Sequence, residues 1–327
     1  MARIAIIGAG ISGLVTANAL MNEHSVVVFD KSRGPGGRMA TRYTDRFEFD
    51  HGAQFFTARS DAFKAVCRQW LDDGVIAVWQ AEFRDFRGSE IVAERRWDED
   101  YPHYVGTPRM NAIGKHLAQG VDVRFETPVD GLRRHGGAWS IEDSNNSDPG
   151  LFDWVVLALP APQAADLMPD DTAFRERCAA TDMRACFAMM LGFSEPLPLD
   201  WDAAHVQAAD ISWMSVNSSK PGRNSAPSVV VHSTNAWANA NLDMPIDDVQ
   251  RHLLGEYRRV SGMDPGGAAF SAVHRWRYAN VPQQDGAPCY VDEERCIGAC
   301  GDWFVRGRIE AAFTSAKSLV DRLDEKL

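Results

Sequence analysis

Three glycines fall in the run Gly8-Ala9-Gly10-Ile11-Ser12-Gly13, and an acid, Asp30, follows Gly10 by about twenty residues, the spacing of a dinucleotide cradle. Gly8 permits a tight turn, Gly10 lets a pyrophosphate approach the backbone, and Gly13 lets a helix pack on a strand. A helix opened by Ile11 and Ser12 would aim N–H groups and the positive end of its dipole at the phosphates, while Asp30 would accept hydrogen bonds from ribose hydroxyls. The fingerprint does not choose between NAD and FAD. A second glycine turn follows at once, Asp30-Lys31-Ser32-Arg33-Gly34-Pro35-Gly36-Gly37-Arg38-Met39. It lets the backbone and Arg38 close over a cofactor lying extended across a domain, and its plainer reading is a surface turn with a solvated arginine.

These residues need elements to hold them. Ile4 to Ile7, an Ala/Leu-rich segment ending at Met21, and Val26 to Phe29 read as strand, helix, strand around the first glycine run. Ser60 caps an expected helix with Phe63, Val66, Trp70 and Leu71 on one face, ending at Gly74. A second helix is expected from Thr107 and Pro108 through Met110, Ile113 and Leu117 to Gly120. Strands are expected at Val121 to Phe125, Trp139 to Ile141 and Asp153 to Leu159. From about 165 to 270 the character shifts to β-prone runs such as Cys186 to Phe193 and Ser228 to His232, with no second glycine fingerprint. The last stretch returns to the α/β pattern of the first, with a strand at Cys296 to Ala299, then Gly301-Asp302, then a helix with Ile309, Phe313, Ala316, Val320 and Leu323 on one face. The two ends thus read as one α/β Rossmann-type dinucleotide-binding domain (1–75, 100–165 and 271–327), interrupted by an antiparallel-sheet substrate domain (76–99 and 166–270).

Composition narrows the function. The 327 residues carry 34 basic and 45 acidic groups, a net charge of -11, which argues against a nucleic-acid or anionic-membrane surface. Six of the basic residues are Lys, which leaves 28 Arg, and guanidinium forks suit planar and phosphate partners. No apolar run reaches the length of a membrane span. The N-terminal apolar stretch is interrupted by glycines and by Ser12, Thr16 and Asn18, and reads as mature structure. Six cysteines show neither zinc spacing nor a C-x-x-C pair, so no metal site is expected and free thiols in a reducing cytoplasm are the expectation.

The string Asp30 to Met39 and the run Asp50-His51-Gly52-Ala53-Gln54-Phe55-Phe56-Thr57-Ala58-Arg59 resemble renalase and its bacterial relatives. So do His274-Arg275-Trp276-Arg277-Tyr278-Ala279 and Cys300-Gly301-Asp302-Trp303-Phe304-Val305-Arg306-Gly307-Arg308-Ile309-Glu310. The resemblance implies noncovalent FAD and the p-hydroxybenzoate hydroxylase and amine oxidase fold group. It also implies oxidation of 2- and 6-dihydro isomers of NAD(P)H to NAD(P)+, with hydride passing to flavin N5 and oxygen taking the electrons to give hydrogen peroxide. Carried over by position, Asp302 would hold the ribityl chain, and Ile309 would offer its N–H to the flavin pyrimidine. Ala53 and Gln54 would line the flavin, and Val129 would meet the adenosine side. Phe55, Phe56, Thr57, Ala58 and Arg59, with Arg308, would face a dinucleotide substrate. Such placement has a physical basis, because a helix N-terminus stabilises the negative charge that hydride arrival leaves on a flavin.

Alternatives stand beside these. Arg59 and Arg308 can equally be ion-pair partners in an acidic protein. His274, Trp276 and Tyr278 share one strand face, which makes either a core layer or a substrate wall; the resemblance favours the wall. His51 invites a general-base reading, but hydride transfer that yields a stable pyridinium releases no proton from carbon, so no catalytic acid or base is expected. Amine oxidases carry a lysine near flavin N5, and the central region offers only Lys220, in a Ser-Lys-Pro-Gly turn, which counts against an amine substrate. A flavin-bound sensor without turnover is the third class.

Overall fold

The computed structural model describes residues 1–145, 149–324 and 326. The chain divides into two compact units, 1–38 with 113–183 and 280–327, and 39–112 with 184–279.

The first unit is built on a six-stranded sheet. Its order is Tyr290–Asp292, Ile297–Ala299, Trp154–Leu157, Arg3–Ile7, Ser25–Phe29 and Asp122–Arg124. All neighbours are parallel except the edge strand Tyr290–Asp292. The central strands are near-continuous apolar runs because a parallel sheet is covered on both faces. Arg3–Ile7 lies where the strand order turns: the chain moves to one side through Ser25–Phe29 and Asp122–Arg124, and later fills the other side with Trp154–Leu157 and Ile297–Ala299. Ligands of open α/β sheets bind outside the carboxyl ends of strands at such a point. Helices Ile11–Leu20 and Ile309–Asp324 pack together there, and the Ser12 hydroxyl donates to the Ala312 carbonyl at 3.0 Å.

The second unit carries a seven-stranded sheet in the order Ala268–Asn280, Arg184–Phe193, Ser228–Ser233, Ile211–Val216, Ala203–Gln207, Glu82–Arg87 and Glu90–Arg96. Its described pairings are antiparallel, apart from Ala203–Gln207 beside Glu82–Arg87. Helix Ile246–Ser261 seals one face with Val249, Leu253, Tyr257 and Val260. Helix Asp61–Asp72 forms as expected, with the Ser60 hydroxyl accepting from the Phe63 N–H.

Two expectations change. The segments 39–75, 100–112 and 271–279 belong to the second unit, because Glu48–Asp50 packs on Ser228–Ser233 and the Trp276 strand is an edge of the seven-stranded sheet. Segment 166–183 belongs to the first, where Leu167, Met168, Phe174 and Cys178 enter its core. The helix expected from Thr107 begins only at Ala112, because residues 109–112 close a tighter turn, the Ala112 N–H donating to the Arg109 carbonyl at 2.9 Å while the buried Asp50 carboxylate holds the Met110 N–H at 3.1 Å.

Candidate functional site

The first unit forms a dinucleotide cradle at the carboxyl end of Arg3–Ile7. Gly8 has φ +111°, and a Cβ there would lie 2.6 Å from the Ala158 carbonyl oxygen; a Cβ on Gly13 would lie 1.9 Å from the Gly8 oxygen. Both positions therefore need glycine for the backbone itself. Gly10 differs: a Cβ there would meet nothing within 4 Å, so its missing side chain leaves space beside the helix N-terminus. This open position, flanked by forced glycines, fits a pyrophosphate. Ile11 and Ser12 are buried, and the Ser12 hydroxyl is committed to Ala312, so only their backbone is free to serve a phosphate.

Asp30 stands at the end of Ser25–Phe29. Its carboxylate accepts the Ala9 N–H at 2.6 Å and the Ser32 N–H at 2.7 Å, tying the two glycine turns together. Carboxylate oxygens have lone pairs left for ribose hydroxyls. The second turn docks on the first: the Gly36 N–H donates to the Ala9 carbonyl at 2.9 Å, and a Cβ on Gly37 would lie 3.4 Å from the Gly10 Cα. Lys31 is exposed. The Glu126 and Thr127 N–H groups donate to the Ser32 and Asp30 carbonyls, at 3.0 and 2.9 Å, and Val129, two residues on, is half-buried against the core of the unit. Arg38 grips Asp302 through two hydrogen bonds, 2.9 and 2.6 Å. Ile309 is the first residue of the last helix, where N–H groups lack intrahelical acceptors, and Arg308 beside it is exposed.

In the second unit, Met39 is buried, Ala53 half-buried, and Gln54 is the hub of a polar cluster. Its side-chain oxygen accepts from Ser215 Oγ at 2.9 Å and from Lys220 Nζ at 3.1 Å, while its nitrogen donates to the Asp50 and Gly52 carbonyls. The Gln54 side chain is thus spent within its own unit. Lys220 is 2% exposed, bonds Asn217 Oδ1 at 3.2 Å, and lies 3.6 Å from Asp50. Arg223 Nε donates to Asp50 at 3.1 Å, and Thr41 donates to the same carboxylate. Burial alone would raise the Asp50 pKa, but Lys220 and Arg223 overcome it and hold the carboxyl below its usual value. Burial pushes the Lys220 ammonium down to about 8 against the pull of Asp50.

Next to Asp50 along the chain, His51 stacks on Trp276 at 5.2 Å between ring centroids and meets His274 edge-on at 4.8 Å; the Trp276 indole donates to the His51 carbonyl. Burial and the neighbouring His274 lower the His51 pKa to about 4, and burial with Lys220 takes His232 to about 4. His51 is therefore a neutral ring at pH 7. Trp276, His274 and Tyr278 are half-buried, on the strand face opposite Arg277, which pairs with Asp243 at 3.0 Å. Within Phe55 to Arg59, Phe55 lines a cavity and Arg59 is exposed, with Thr57 and Ala58 half-buried. Phe56 departs from expectation: it is 5% exposed, its ring packs on Phe63 and Tyr104, and its backbone bridges Tyr104, so it serves the core.

Asp50, Ser215, Lys220, Arg223 and His232 escape a motif reading. Asp50 opens the Asp50 to Arg59 run, but its partners lie far off in sequence, and a Ser-Lys-Pro-Gly turn gives no sign that the lysine faces inward.

Comparison with known proteins places this architecture. A model of a NAD(P)-binding Rossmann-like domain matches residues 6–70, and one of flavin containing amine oxidoreductases matches residues 73–295. The chain belongs to the flavin-containing amine oxidoreductase family. Mouse (Mus musculus) renalase is 22% identical over 304 residues, covering 86% of each chain. The flavin-containing monooxygenase FMO GS-OX-like 5 of Arabidopsis thaliana is 30% identical over 167 residues, 47% of this chain and 35% of its own. Wild-type putrescine oxidase bound to putrescine superposes with a TM-score of 0.73 at 12% identity, covering 99% of each chain. The chain has an α/β Rossmann-like flavoprotein fold with mixed sheets, and it is a flavin-dependent oxidoreductase. Among the described residues no helix is long and apolar enough to cross a membrane.

Proposed function

We propose that the protein is an oxidase of the 2- and 6-dihydro isomers of NAD(P)H, with noncovalent FAD as cofactor, oxygen as acceptor and hydrogen peroxide as product, on a p-hydroxybenzoate hydroxylase-like fold. Gly8, Gly10, Gly13, Asp30, Lys31, Gly37, Arg38, Val129, Asp302 and Ile309 hold the cofactor. FAD, when bound, supplies the hydride acceptor and the route of electrons to oxygen. The residues of the chain bind and orient, and the neutral His51 need take no proton.

The observation that carries the substrate class is the charge of the buried cluster. Lys220 and Arg223 against Asp50 leave one positive charge in excess in an interior where charge is poorly screened. Its field supports an anionic substrate such as a dinucleotide over a cationic amine, at a distance and not by contact, because the side chains of Lys220, Arg223 and Asp50 are buried. One observation favours the amine reading instead: Lys220 is buried rather than set in a surface turn, so the ground taken from sequence against an amine substrate falls.

Anaerobic mixing of the yellow protein with each dihydronicotinamide isomer and with a panel of amines decides between them. The isomers should bleach the flavin and amines should not; bleaching by amines alone overturns the proposal. Replacing Arg59 or Arg308 by Ala should weaken binding of the isomer by about 1 to 3 kcal/mol, with a smaller fall in the limiting rate of flavin reduction.

A further inference from the structure

The cavity beside Phe55 has a volume of about 610 Å³, within the range of small-molecule pockets. One wall is a run of stacked flat groups. The Arg95 guanidinium lies 4.3 Å from the Phe83 ring, Phe83 lies 4.9 Å from Trp97 at 23°, and Trp97 lies 3.7 Å from His103 with 7° between planes. Phe55 and Trp213, 5.4 Å apart, continue the aromatic lining, and Tyr101, 49% exposed, joins it.

The charges around these rings cancel. Arg95 pairs with Asp85, Arg96 with Glu82 at 3.6 Å, and the Asp98 carboxylate accepts the N–H groups of Asp100 and Tyr101. Burial keeps His103 neutral, its pKa pushed down to about 4. The indole nitrogen of Trp213 is a buried donor with no partner among the described residues. With acids and bases paired, an ammonium or a phosphate would give up hydration here without gaining an unopposed counter-charge. A flat, uncharged heterocycle with both donors and acceptors meets neither penalty and gains from stacking.

We propose that this cavity binds a purine base; resting on the dinucleotide reading of the function, the base is the adenine end of the substrate. The test uses the full-length, FAD-loaded protein, so that the cofactor cradle is filled. AMP and ribose 5-phosphate are titrated by calorimetry, AMP is tested as an inhibitor of oxidation of the dihydronicotinamide isomer, and the variants Tyr101→Ala and Trp213→Phe are compared by flavin absorbance to confirm folding. The expected result is binding of AMP but not of ribose 5-phosphate, loss of about tenfold in AMP affinity in Tyr101→Ala and a several-fold loss in Trp213→Phe, and competition between AMP and the isomer. Equal binding of AMP and ribose 5-phosphate, or wild-type AMP affinity in both variants, overturns the purine site. AMP bound at the cavity without competition assigns it to a free nucleotide and overturns the substrate-end proposal. Calorimetry needs no turnover, so an enzyme that binds AMP here but oxidises no isomer marks failure of the functional reading, not of the purine site.

Discussion

Arg38 and Asp302, separated by 264 positions, meet in a two-pronged ion pair, with Nη1 to Oδ2 at 2.9 Å and Nη2 to Oδ1 at 2.6 Å. Fork geometry matches the guanidinium plane to the carboxylate, and the Asp302 side chain is 6% exposed. The pair joins the second glycine turn to the segment just before the last helix. Both residues belong to the proposed cofactor site, and each also sets the position of the other.

Asp302→Asn should therefore lower flavin retention by about 1.5 to 3 kcal/mol, the range for a hydrogen bond to a charged group. Arg38→Lys should recover less than its charge suggests, because an ammonium cannot reproduce the fork. The flavin-to-protein ratio after gel filtration measures both; unchanged ratios would separate this pair from the cofactor.

Gly10 and Gly13 should fail in different ways. Gly13→Ala drives a Cβ onto the Gly8 carbonyl and should destabilise the fold itself, in the presence or absence of FAD. Gly10→Ala places a methyl in open space, so denaturant unfolding of the flavin-free protein should shift by about 1 kcal/mol or less, while FAD affinity falls sharply. Equal losses of stability in the two would defeat the assignment of that space to a pyrophosphate.

The Asp50 cluster predicts an asymmetry. Asp50→Asn leaves Lys220 and Arg223 buried without their counter-charge and should cost about 3 to 5 kcal/mol. Lys220→Met removes a poorly solvated ammonium while Arg223 still neutralises Asp50, and should cost much less. Urea unfolding of both variants reads the difference; a larger loss in Lys220→Met would show that the lysine is the anchor of the cluster.

His51 gives the fold a sensitivity to acid. Its pKa is about 4 in the folded chain against 6.5 for the free side chain, so the unfolded chain binds the extra proton between these values. Stability should fall as pH drops from 6.5 toward 4 and its His51 contribution should level off below, at a total of up to about 3 kcal/mol. His51→Asn should flatten that slope relative to the wild type in thermal unfolding across pH 4 to 7. An unchanged slope would assign the effect elsewhere, for instance to His232, which is shifted alike.

The first unit was legible because its signals are local. The run from Gly8 to Gly13, the apolar strands on either side and the acid at Asp30 each follow from neighbours in sequence, and their elements form where expected. The unit boundaries were less so: residues 39–75 carry no mark that Glu48–Asp50 will pack beside Ser228–Ser233. The late start of the Thr107 helix was as hard to read, since the Met110 N–H ahead of it is held by a carboxylate 60 residues away. Phe55 and Phe56 show the limit most simply. Alternation puts neighbours on opposite sides of an extended chain, but only the bridge to Tyr104 decides which ring enters the core.

The place of Ile297–Ala299 in the sheet bears on how the protein is made. That strand fills the position beside Trp154–Leu157, and Asp302, the partner of Arg38, follows it at once. While the chain is still emerging from the ribosome, the glycine turns can form, but the sheet lacks a strand and Arg38 lacks its acid. At the proposed cofactor site, capture therefore waits until residues 297–302 have been made, and a nonsense codon just before residue 297 should leave a polypeptide that stays colourless.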